Sequence, residues 1–122
     1  MRAHDDPDFR SYVFLLEAVG VQPLDHAVYV ALVRGERCLP QLAGRAMRLA
    51  DWHVRLDGGQ PVSVAKEWYG WVRFDAAGRL LPHGGPALSN NHTVEAERDN
   101  IDTAALPGPA ELDAMRVHVF GR

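Results

Sequence analysis

The sequence predicts an α+β fold, an N-terminal helix packed on a bent, mostly antiparallel sheet of five or six strands, in a single domain. Three observations carry that expectation. Residues 50–81 carry the pattern of two consecutive β-hairpins. An apolar stripe at helical spacing precedes them, with stop and start residues at its ends. A short alternating segment, residues 115–120, closes the chain.

The helix is expected from Asp6 to Gly20. Asp6 is a good N-cap, Pro7 suits the first helical position, and Gly20 suits the stop. Phe9, Tyr12, Val13, Leu16 and Val19 recur as one helical stripe. Phe14 falls off it, which makes Phe14 a candidate contact residue. Residues 21–25 form a connector. Residues 26–33 are apolar on both faces and rich in Val and Tyr. A short buried helix fits that run too, and the β-branched content favours a strand. Residues 34–36 read as a turn and residues 37–45 as a loop broken by Pro40 and Gly44.

In residues 50–57 the apolar side chains fall at every second position, so Ala50, Trp52, Val54 and Leu56 share one face. A three-residue reversal at Gly58, Gly59 and Gln60 would set Val54 opposite Val64, Asp57 opposite Pro61 and Asp51 opposite Glu67. Ala76-Ala77-Gly78 suits a type I turn with a glycine bulge, pairing Phe74 with Leu80. Residues 62–74 are long for one strand, so a bulge or bend is expected between Lys66 and Gly70. Residues 82–91 are loop by composition, and residues 92–97 form a short strand. Residues 109–114 make a turn or two of helix before the last strand. A helix followed by long bent hairpins resembles the cystatin-like and nuclear-transport-factor-2-like cone folds; the likeness covers those elements and rests on no residue motif.

Composition narrows the function. With 47% hydrophobic and 24% charged residues, the chain has the make-up of an ordinary globular protein. The net charge is −3, and the thirteen basic residues are scattered rather than clustered. That argues against a dedicated nucleic-acid binder. No apolar run is long enough to span a membrane. The lone Cys38 allows no internal disulfide, and with the acidic start this points to the cytoplasm. The six histidines show no metal-ligand spacing, so no metal and no cofactor is expected.

Two constellations stand out. Asp51, His53 and Glu67 are the candidate acid–base groups, since paired carboxylates beside an imidazole can share protons. Tyr69 and Trp71, beside Arg73, are candidate contact residues, because rigid aromatics near arginine are common at partner surfaces. His83 is placed opposite Trp71, where it could stack. The expected function is a small non-catalytic binding or assembly protein, a homodimer through the Tyr69/Trp71 face and Phe14. The alternative is a small-molecule-binding protein or enzyme with a pocket in the concave sheet, lined by Asp51, His53 and Glu67.

Overall fold

The structure is a computed structural model that describes residues 8–17, 20–81 and 103–121. It is α+β, with four antiparallel strands between two helices. In chain order these are β1 (Phe9–Glu17), β2 (Gly20–Leu24), α1 (His26–Val33), β3 (Ala46–Asp57), β4 (Gln60–Arg73) and α2 (Pro109–Phe120). Short 3₁₀ turns lie at Pro40–Leu42 and Thr103–Ala105. The sheet order is β2-β1-β3-β4. Among the described residues the sheet has four strands, short of the five or six expected. The segment read as a strand at residues 92–97 lies outside the described residues, as does the cap at Asp6 and Pro7.

The expected N-terminal helix is strand β1, and the resemblance to the cone folds loses its helix. Phe14 explains the change. A helix would strand it off the apolar stripe, whereas a strand buries both faces. Val13 and Leu15 join the core beneath α1, and Phe14 and Leu16 join the core beneath α2. Phe14 is fully buried rather than an exposed contact.

Residues 26–33 are the helix α1, not a strand. Asp25 caps it, its carboxylate accepting the Ala27 N–H at 2.8 Å. That cap outweighs the strand preference of the valines. Tyr29 and Leu32, one turn apart, point into the first core. The expected C-terminal strand is the second half of α2. Met115 and Val119 are buried while Val117 is 46% exposed, so the spacing that matters is four, not two. Pro109 occupies the first turn, the Glu111 carboxylate accepts the Gly108 N–H at 3.1 Å, and Gly121 ends the helix.

The β3–β4 hairpin turns on two residues, not three. Gly58 and Gly59 both adopt positive φ, at 60° and 82°, so Asp57 pairs with Gln60. Two register shifts follow, leaving Val62 and Ala65 as extra residues of β4. Val54 does face Val64, but beyond the Ala65 bulge Asp51 faces Trp68 and Trp52 faces Glu67. The bulge expected between Lys66 and Gly70 does not form there: the register is unbroken over those residues, and the irregularities lie earlier, at Val62 and Ala65. The next reversal forms as expected, with Phe74 bridged to Leu80 and the Gly78 N–H donating to the Asp75 carbonyl at 3.0 Å.

Two features hold the layers. Gly70 has no side chain, and the Trp68 indole lies against it; a Cβ built at Gly70 would clash with the Cη2–Cζ2 edge of that ring. On the other face Arg48 of β3 makes a two-pronged pair with Glu111 of α2, at 3.1 and 2.9 Å. Burial works to raise the Glu111 pKa. The hydrogen bonds from Arg48 and Gly108 and the guanidinium charge outweigh it and hold the carboxyl below its ordinary value.

Gly70→Ala should lower stability by about 1–3 kcal/mol through overpacking. In a Trp68→Leu background the same change should cost much less, as a double-mutant cycle by urea unfolding will read. Because the folded Glu111 pKa is depressed, its contribution is present above the ordinary glutamate range and is lost as pH falls through the folded value. Arg48→Met should therefore cost on the order of 1–2 kcal/mol at pH 7. The gap between the two unfolding curves should close in strong acid.

Candidate functional site

The ladder sorts the polar residues into two groups on opposite faces. On the α1 face, one row across the sheet is Ser11–His53–Lys66 and the next is Val13–Asp51–Trp68. On the α2 face the rows are Tyr12–Trp52–Glu67, Phe14–Ala50–Tyr69 and Leu16–Arg48–Trp71. Of the three acid–base candidates, Asp51 and His53 meet, with His53 Nε2 3.7 Å from Asp51 Oδ2. Glu67 stands on the other side of the sheet. Its pairing with Asp51 does not form, because the extra residue at Ala65 moves it by one position.

Asp51 is 6% exposed, the buried charged residue among those described. Tyr29 of α1 lies near enough that burial first, and the Asp51 charge second, push its pKa well above the ordinary phenol value. Ser11 Oγ is 3.2 Å from His53 Nδ1. Sequence reading missed Ser11 because it placed the residue on a helix. Once residues 9–17 are a strand, Ser11 is two residues ahead of Val13 and shares its face.

The α2 face holds a cleft of about 360 Å³. Trp52, Val64 and Tyr69 supply the sheet side, and Leu106, Pro107 and Leu112 supply the apolar wall. Glu67 and Arg116 complete the lining, and no ion pair joins these two among the described residues. A hydrogen-bond chain runs along the floor. Trp52 Nε1–H donates to Tyr69 Oη at 3.2 Å, and Tyr69 O–H donates to Glu67 Oε2 at 3.0 Å. Burial, then the Glu67 charge, push the Tyr69 pKa well up, so the phenol keeps its proton and remains a donor. The chain orients Glu67 in the cleft lining.

The expected contact residues divide. Tyr69 is buried under α2, and Phe14 packs edge-to-face on Trp52, with ring centres 5.8 Å apart. Trp71 is 41% exposed and Arg73 is exposed, both at the β4 edge. His83 lies outside the described residues. Cys38 is an exposed free thiol. No group of three His, Cys, Asp or Glu able to hold a metal occurs among the described residues, and none of their helices is long and apolar enough to cross a membrane. Compared with family models, curated proteins and solved structures, the chain matches none.

Proposed function

We propose that this protein is a small binding module that holds one small molecule in the cleft between the sheet and α2. The observation that carries this reading is the Trp52–Tyr69–Glu67 hydrogen-bond chain, laid along an apolar cleft with Arg116 at its margin. A mostly apolar pocket with a few placed polar groups is the usual build of a ligand site. The chemistry selects a flat apolar body carrying a donor for Glu67 and an acceptor for Arg116. The single cysteine needs no oxidising compartment, which suits a cytoplasmic protein.

Three probes test it by NMR, read at the Trp52 indole N–H: indole, tryptamine and indole-3-acetate. Both charged probes should bind more tightly than indole. Glu67→Gln should remove the advantage of tryptamine, and Arg116→Ala that of indole-3-acetate. A Trp52 resonance unmoved by all three at millimolar concentration would overturn the reading.

A second reading rests on Trp71, a large aromatic left in solvent beside Arg73 at the sheet edge. It is self-association as a homodimer through that end of β4, with Trp71 as the anchor and Arg73 at the rim. Sedimentation should then show a dimer that Trp71→Ala converts to monomer. An unchanged sedimentation coefficient would sink it.

A further inference from the structure

We propose that the α1 face carries a second, independent site, in which Ser11 is a nucleophile toward activated acyl esters and His53 is its general base. Asp51 is the positioning residue. The three side chains come from adjacent positions of a β-ladder. Ser11 of β1 stands directly across from His53 of β3, and Asp51 precedes His53 by two residues on the same face.

In the proposed site the His53 proton sits on Nε2. The Asp51 carboxylate, 3.7 Å from Nε2, favours the tautomer with hydrogen on that nitrogen. The Nδ1 lone pair is then left to accept the Ser11 hydroxyl, 3.2 Å away. Nucleophile and base lie within hydrogen-bond reach, and the orienting carboxylate stands at ion-pair distance, beyond hydrogen-bond length. Exposure agrees with the roles. Ser11 and His53 are half-buried and reachable, while Asp51 is enclosed. A carboxylate between Val13 and Trp68 is costly, since an apolar residue there would avoid the loss of hydration. Departures of that kind from local rules concentrate at functional sites.

The step balances without a co-reactant other than water. Ser11 Oγ bonds to the acyl carbon and gives its proton to His53 Nδ1. The bond from the acyl carbon to the leaving oxygen breaks, and the leaving group departs with that electron pair and takes the proton from His53. Water then adds to the acyl-serine, again losing a proton to His53. The carboxylic acid leaves and the Ser11 hydroxyl is restored.

The test uses 4-nitrophenyl acetate in a Cys38→Ser background, which removes the exposed thiol. The expected result is a burst of nitrophenolate near one equivalent, with the acetyl group mapped by mass spectrometry to Ser11. His53→Gln should slow acylation by on the order of 10²–10⁴-fold. Asp51→Asn should shift the His53 proton toward Nδ1 in nitrogen-15 spectra, a change that a purely structural role would not produce. Acetyl found on Lys66 or elsewhere with Ser11 unlabelled, or a folded Ser11→Ala protein acylated at the parent rate, would overturn the proposal. Should Ser11→Ala not fold, the mapping on the parent protein decides alone.

Discussion

From Met47 to Val54, strand β3 is covered on both faces, so each residue of that stretch turns to one core or the other. Odd positions from Met47 to His53 turn toward α1, and even positions from Ala50 to Val54 turn toward α2. Its partner β4 changes phase twice, at the extra residues Val62 and Ala65, and the second change sets the faces from Lys66 onward. Without that bulge, Glu67 would lie beside Asp51 and His53 and place a second carboxylate against a buried one. Two carboxylates there would repel, and one would have to take up a proton. With the bulge, Glu67 reaches Tyr69 and the α2 cleft instead. With Val62 already inserted, the second insertion at Ala65 is what keeps Glu67 on the face opposite Asp51 and His53.

Helix dimensions explain why each site lies where it does. At 1.5 Å per residue the eight residues of α1 reach about 12 Å, while the twelve of β3 reach about 40 Å. One short helix cannot roof the whole face. Tyr29 and Leu32 cover the rows of Val13 and Leu15, and the Ser11–His53–Lys66 row lies just past them. On the other face α2 is anchored at its start by Arg48 and Glu111 and further along by Met115 and Val119. His118 adds edge-on contacts with Tyr12 and Phe14, with ring centres 6.1 and 5.6 Å apart. The approach to the helix, through Leu106 and Pro107, stands over Trp52 and Val64 and leaves the cleft between them.

Much of this was legible from the chain, and the misses have physical causes. Strict alternation from Ala50 to Leu56 and the glycine reversals specified the central hairpin and its successor, because strand period and turn chemistry agreed there. Residues 9–17 did not resolve themselves. Apolar positions on both faces of a central strand include a helical subset by necessity, and Phe14 was the residue that the helix could not place. Residues 26–33 had the opposite trouble, since valine content favoured a strand and only Asp25 marked the helix start. In α2, Met115, Val117 and Val119 mimic alternation, while the preceding Pro109 and Glu111 carried the true signal. The candidate site suffered most from register. Asp51 and His53 are two apart on one strand, so their meeting needed no pairing at all. Ser11 and Glu67 depended on pairings that a helix assignment and an unseen bulge concealed.

The sheet edge adds a constraint on the α1-face row. β2 pairs with β1 only from Val13 to Glu17, so the ladder on that side stops before Ser11. Ser11 is therefore held by β3 on one flank, where Ser11 and His53 are matched in the ladder, and has no β2 neighbour on the other. A backbone fixed by cross-strand pairing positions a side chain more precisely than a loop does. Among the described strands, the sheet margin has no further neighbour beside Ser11. The termination of β2 at Leu24, ahead of the Asp25 cap, sets both conditions at once, since the same short connection that starts α1 over Val13 and Leu15 leaves the row below them uncovered by β2.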